Sequence, residues 1–326
     1  MIPKYINDWL HVIENMQNEN TYKLAWGRAL VECLFCNAYK ERENDMVVQL
    51  TDISNCMLKY YWNQLFFFNL KQSPARVDNR TPVVVQVTNN LIKEYKKLTN
   101  SSIPVWYDRA EEVLSKTKYL SRAIKQINNV LPNDVSWRFK KVGNDEYSLY
   151  EYDAEHRSTE VFFKKEQIEL IKEYSLIISK LLNYKWAQLL EKFNYAPKIV
   201  NKVNSISEAK LKRESLVKYK NELLKEFNGG EPIDFYSGKP LAPNDISVDH
   251  VIPWSFMYSD DIWNLVLTSK SNNSIKSNSI PSEEIIEKLK ERNEKIKNIL
   301  DDKYSIEMKN AIDNNYIDKY YFECRV

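Results

Sequence analysis

Glycine is scarce in this chain, with five residues among 326. Glycine supplies the positive backbone angles that tight turns need, so a turn-rich all-β fold is hard to build with so few. Long helices need none, and apolar residues recur here at helical spacing. Trp9, Val12 and Ile13 share one face of a first helix, and Leu24, Ala25, Leu30, Val31 and Leu34 recur along a second, both within residues 5–40. Thr51 or Asp52 is placed to cap a third helix running through Leu58, Tyr61, Trp62 and Leu65. The run Leu65-Phe66-Phe67-Phe68 is apolar on all sides and reads as buried. Pro82 opens a fourth helix through Ile92, and helical spacing resumes from Trp106 to Val130.

The period changes over residues 136–163. Trp137 and Phe139 alternate with Arg138 and Lys140, Gly143-Asn144-Asp145 signals a turn, and Tyr147, Leu149 and Glu151 continue the alternation. Val161-Phe162-Phe163 makes a third short strand. A small antiparallel sheet inside a helical domain is expected, either plain scaffold or a DNA-binding wing. Helix returns over 165–194, with Ile168, Leu170, Ile171, Leu176 and Ile177 on its apolar side. A further helix is expected over about 206–227. Its basic residues, among them Lys212 and Arg213, slightly exceed its acidic ones, which suits a solvated face and a phosphate-contacting face equally. Asn228-Gly229-Gly230 breaks the pattern and marks a domain boundary, giving domains 1–228 and 229–326. Pro281 opens a final helical region, with Glu283 and Glu284 favourable in its first turn.

Net charge is only +2, so any basic surface is local. The cysteines Cys33, Cys36, Cys56 and Cys324 do not form a disulfide framework. Cys33 and Cys36 lie in an apolar helical run and read as buried thiols. No run approaches the ~18 continuous apolar residues of a membrane span, and the first residues lack a signal-peptide layout. A cytoplasmic protein with no membrane association is the expectation.

The stretch from Ser247 to Lys276 carries the chemistry. Of three histidines, His11 and His156 fall in a helix and a polar connection, whereas His250 sits beside Asp249 at a strand end. Phosphodiester hydrolysis needs a base near neutral pH, which histidine supplies. It also needs a hard cation, and Mg²⁺ accepts one carboxylate and one amide oxygen while keeping several waters. Asp249 and Asn273 offer that pair. Consecutive strand residues face opposite sides, so Asp249 and His250 would flank a phosphate. Asn264 lies between, where its amide could fix the loop that orients His250. From chemistry alone, a histidine bonded only to its own loop explains these residues better.

The ordered pattern D-H-x-I-P, then W-N-L-V-L, then N-x-x-K resembles the HNH, or ββα-metal, nuclease family. With the tail N-x-I-P-S-E-E at Asn278–Glu284, it is similar to the HNH domain of RNA-guided CRISPR effector nucleases. The resemblance covers roughly residues 232–285. It implies Asp249 and Asn273 as ligands of Mg²⁺ or Mn²⁺, His250 as general base, Asn264 as the residue holding the histidine loop, and Lys276 as a basic group near the phosphate. It implies two antiparallel strands, the second carrying Leu265-Val266-Leu267, and a helix starting near Asn272. Many family members carry two cysteine pairs around the motif that bind zinc. Asp234, Ser237, Ser269 and Asn272 stand in comparable positions here, so no structural zinc is expected and packing must hold the module. Phe235, Tyr236, Trp254, Phe256 and Trp263 are the candidates for that packing.

The expected fold class is therefore α+β, a large mainly helical N-terminal domain with a small antiparallel sheet followed by a C-terminal ββα-metal module. The N-terminal region resembles the helical part of stand-alone bacterial HNH endonucleases of restriction and phage defence. A metal-dependent DNA endonuclease follows, with DNA, a second copy of the chain and a defence-system protein as the expected partners. The competing readings are a catalytically silent nucleic-acid-binding protein of the same fold and an HNH nuclease acting on RNA.

Overall fold

The first apolar stripe becomes α1 (Lys4–Asn15), which buries Ile6, Trp9, Val12 and Ile13. The computed structural model describes residues 2–43, 45–74, 81–153, 158–205 and 215–325. Lys212, Arg213 and His156 lie outside the described residues. The chain forms two compact units, which divide between Asn194 and Ser205 apart from short exchanged segments.

The first unit is built on α2 (Tyr22–Phe35), which is apolar nearly all round and buried accordingly. A helix without a polar face must be covered on several sides. α3 (Leu50–Trp62) and the long α7 (Lys165–Glu191) pack on it, and α1 packs on α7. α4 (Val83–Thr99), α5 (Tyr107–Leu114) and α6 (Lys118–Asp134) continue the layer on α3. Lys202–Asn204 of α8 (Ile199–Asn204) also belong to this unit. Pro82 stands at the N-cap of α4, as its fixed backbone angle favours. α3 starts at Leu50, ahead of the expected Thr51 or Asp52 cap, because a strand runs straight into it. Asp52 falls instead in the first turn, where its charge suits the helix dipole. Phe66, Phe67 and Phe68 are buried as expected. Cys33 is buried with its sulfur 4.0 Å from that of Cys56, whereas Cys36 emerges exposed at the end of α2.

The sheet content differs in detail from the alternation read over residues 136–163. Of that stretch only β5 (Glu160–Lys164) enters the main sheet. It pairs antiparallel with β2 (Asp45–Gln49), which pairs with β1 (Lys40–Arg42). β3 (Lys141–Val142) and β4 (Asp145–Glu146) form a separate hairpin around Gly143, whose φ of 58° is the conformation glycine adopts without strain. Trp137 and Phe139 fall in turns, and Glu151 meets Phe162 in a lone bridge. The alternation there reflects one buried side of an irregular loop, with Phe139, Leu149 and Tyr150 inside.

The second unit contains α9 (Val217–Leu223), so this segment, placed ahead of the boundary at residue 228 in the sequence reading, folds with the C-terminal residues. Leu223 is fully buried in the second core. Around it stand the hairpin of β6 (Ile246–His250) and β7 (Leu265–Ser269), the short α10 (Trp254–Met257) and α11 (Lys270–Lys276). α12 (Glu283–Ile296), α13 (Asp302–Asp313) and α14 (Tyr316–Arg325) complete the unit. Phe235, Trp254, Phe256 and Trp263 are all buried, and Trp263 stacks on Tyr320 with ring centres 5.9 Å apart.

Among the glycines, Gly27 in α2 leaves the least room for a side chain. A Cβ there would lie 2.6 Å from the buried Phe139 ring and 3.0 Å from Leu182. Alanine gains about 1 kcal/mol in helix propensity, but overpacking a filled core costs about 1–3 kcal/mol. Gly27→Ala is expected to lower stability, read as a lower urea midpoint at unchanged slope.

Candidate active site

β6 and β7 pair with Ser247 opposite Thr268, Asp249 opposite Val266 and His250 opposite Leu265. Alternation along β6 puts Asp249 on one face with Ser247, and His250 on the other with Val248. α11 follows β7 directly, with Ser269 as its N-cap accepting from the Asn272 backbone N–H at 3.1 Å. It crosses the face that carries Asp249. Asn273 Nδ2 donates to Ser247 Oγ at 2.7 Å, leaving the amide oxygen as its remaining acceptor. One turn on, Lys276 Nζ lies 3.1 Å from Asp249 Oδ2 and donates to the His250 carbonyl at 2.5 Å.

Asp249 has a second partner. Tyr236 donates its phenol hydrogen to Asp249 Oδ2 at 2.5 Å. Burial pushes the Tyr236 phenol far up, and the Asp249 charge adds to that, so it remains a donor throughout the working pH range. Burial pulls the Lys276 ammonium down, against the opposing pull of Asp249. A carboxylate that already attracts an ammonium is a suitable cation ligand.

On the opposite face the His250 ring is held by Asp260, with Nε2 and Oδ1 2.8 Å apart. Both side chains are largely buried. The loop just after His250 is pinned by Asn264, itself fully buried. Its Oδ1 accepts from the Ile252 N–H and its Nδ2 donates to the Ile252 carbonyl, both at 2.8 Å. The Val251 N–H donates to the Asn264 carbonyl at 2.9 Å. An asparagine that bonds both the N–H and the carbonyl of one residue fixes that loop far better than any apolar residue could.

Ahead of the hairpin, Asp234 gathers three pieces of chain. Its Oδ1 accepts from the backbone N–H groups of Tyr236 and Ser237, at 2.9 and 2.8 Å. Its Oδ2 accepts from Thr268 Oγ1, the Ser269 N–H and Asn272 Nδ2, at 2.9, 2.7 and 3.0 Å. Asp234, Ser237, Ser269 and Asn272, which stand where cysteine pairs were compared, thus meet around one carboxylate. Burial alone would raise this carboxyl, but the backbone and side-chain donors outweigh it and hold it far below the usual carboxylate range.

The structure therefore brings Asp249, Asn273 and Lys276 to one face of β6 and sets His250 on the other, with Asn264 behind it. Among the described residues no cluster of three or more His, Cys, Asp or Glu side chains forms a cation cage. The available donors, one carboxylate and one amide oxygen, fit an ion that retains most of its water, as Mg²⁺ does. Sequence reasoning took Tyr236 for core packing and did not single out Asp260. The signal for Asp260 was an acidic pair, Asp260-Asp261, in an otherwise apolar stretch after the histidine.

The HNH endonuclease family model matches residues 234–282, and a model for a domain of unknown function (DUF8808) matches residues 6–207. A CRISPR-associated endonuclease Cas9 from Listeria innocua serovar 6a is 40% identical over 60 residues. That match covers 18% of this chain and 4% of the relative, so the likeness is confined to the module. No solved structure matches the chain significantly.

Two outcomes follow from this geometry. Asn264→Ala strands a buried N–H and carbonyl of Ile252 and should cost on the order of 2–4 kcal/mol in chemical unfolding. Asp234 contributes stability because its folded pKa lies below its unfolded value of about 3.9. That contribution is complete above about pH 5 and is lost as the pH falls toward the depressed folded value. Asp234→Asn should therefore be less stable than wild type at pH 7, with the difference shrinking below pH 4, read by thermal melts across pH.

Proposed function

We propose that this chain, which belongs to the HNH endonuclease family through its C-terminal module and to the DUF8808 family through its helical unit, is a metal-dependent endonuclease that hydrolyses DNA. The HNH match supports nuclease activity in general. The observation that carries the finer reading is the division of labour along β6, a carboxylate on one face and a carboxylate-held imidazole on the next residue's opposite face.

In this reading Asp249 and the amide oxygen of Asn273 hold Mg²⁺ or Mn²⁺. The ion would supply charge stabilisation at the phosphate and at the leaving oxygen. Tyr236 keeps one oxygen of Asp249 in place through its hydroxyl. Lys276 stands beside the same carboxylate, where its ammonium would meet an approaching phosphate. Asp260 fixes Nε2 of His250, so Nδ1 is the nitrogen left to take the proton from the attacking water. Asn264 keeps the following peptide from letting the ring swing away.

A role in restriction or phage defence is supported by the CRISPR-associated relative, over 18% of this chain. One such site cuts one strand, so a double-strand break would require two copies of the chain or two binding events. Lys212 and Arg213 remain proposals for phosphate contacts outside the described residues.

Plasmid cleavage tests the reading. Wild type with Mg²⁺ should nick or linearise DNA, and EDTA should stop it. His250→Ala should lower kcat by about 10²–10⁴-fold, the range for a general base. Asp260→Asn should lower it by about 10–100-fold, as loss of an orienting partner does. Cleavage of RNA in preference to DNA would move the substrate assignment. Undiminished cutting by His250→Ala would remove the histidine from the mechanism, and no cutting of any nucleic acid would favour a binding protein of this fold.

A further inference from the structure

α7 runs for 27 residues, and part of its apolar surface faces away from the first core. Ile168, Ile171, Ile178, Leu182 and Trp186 are buried. Leu176 and Ile177, which helical spacing grouped with Ile168 and Ile171, are 65% and 49% exposed, and Tyr184 is 53% exposed. Glu169, Glu173 and Lys180 are exposed as well. At 3.6 residues per turn these six side chains share one stripe, about 100° wide, on the side of α7 away from the core. Apolar residues at the centre of such a stripe with polar ones at its ends have the layout of a contact surface.

The order of residues along the stripe points to its partner. Counted outward from the point between Leu176 and Ile177, the two chain directions are complementary. Leu176 is matched with Ile177, Glu173 with Lys180, and Glu169 with Tyr184. A two-fold axis through that point would lay α7 of one copy antiparallel on α7 of another, and every match would be made twice. The central Leu176 and Ile177 side chains would leave water together. Each Glu173 would face the partner's Lys180. Tyr184 Oη accepts from Gln188 Nε2 at 2.9 Å, so its own hydrogen is available to the partner's Glu169. A parallel pairing in register would instead set Glu173 against Glu173 and Lys180 against Lys180, which like-charge repulsion disfavours.

We propose that the exposed stripe of α7 is the interface of a homodimer, in which two copies pack α7 on α7, antiparallel, about an axis between Leu176 and Ile177. Residues 169 to 184 span about 22 Å at 1.5 Å per residue. A contact of one helix per copy stands at the small end of specific interfaces, so a dissociation constant in the micromolar range is expected. For a module that cuts one strand, such a dimer supplies the two copies that a double-strand break requires.

Sedimentation velocity of the full-length chain, without metal or nucleic acid, over about 1 to 100 µM tests this. Wild type should shift from monomer to dimer as concentration rises. Glu173→Lys sets lysine against the partner's Lys180 at both matches and should weaken association about tenfold. Lys180→Glu should do the same by opposing two carboxylates. The double variant exchanges the two charges and should restore the association of wild type. Leu176→Glu should remain a monomer. All three positions are exposed, so unchanged melting curves separate loss of association from loss of fold. A wild type that is monomeric throughout overturns the proposal and leaves the stripe to a different protein. A dimer indifferent to the single charge reversals, or one that the double variant does not recover, also overturns it and places the interface elsewhere. Cleavage plays no part in this measurement, so its failure leaves the nuclease assignment untouched.

Discussion

One buried carboxylate orders the C-terminal module. Asp234 receives hydrogen bonds from the chain entering the hairpin, from the end of β7 and from the first turn of α11. The two ends of this arrangement lead into the candidate site. Tyr236, two residues past Asp234, reaches Asp249, and Asn273 follows Asn272 directly. A carboxylate surrounded by donors on every side tolerates burial because each lone pair is met. It links segments distant in sequence with directional bonds, which apolar packing does not supply.

The helical unit is held in a different way. α2 has no polar side to give to solvent, and its neighbours are fixed by aromatic contacts that end in specific polar bonds. Trp26 donates to the Tyr150 hydroxyl at 3.0 Å, and Tyr150 donates onward to the Ser136 carbonyl at 2.5 Å. Trp186 donates to Gln72 at 3.1 Å. Large rings give area to the core while their single polar atoms choose one orientation.

The sequence was most legible where structure is local. Helical spacing placed α1, α2, α4 and α7 closely, and Pro82 marked its helix start. The pairing of β2 with β5 joins residues more than a hundred positions apart, and no local pattern announces it. At the candidate site, Asp249, His250, Asn264 and Asn273 were singled out because their order and spacing resemble a family pattern. Tyr236 and Asp260 were not, since a tyrosine among core aromatics and an aspartate in a loop show their purpose only when folding sets each against a partner. Arg292 looked like any charged residue of an amphipathic helix, and its burial arises from packing that spacing alone does not reveal.

The hairpin register has an evolutionary corollary. Because the proposed metal ligand and the proposed base occupy neighbouring residues on opposite faces, the candidate site is encoded by parity as well as by residue type. Loss of a single residue from β6 upstream of Asp249, with the upstream pairing kept, would carry the carboxylate to the wrong side of the ribbon and the imidazole toward α11. Loss of two would restore the handedness of the site at the expense of reach. Length change that keeps the arrangement must therefore leave intact both the ribbon and the connection that returns Asp260 to His250.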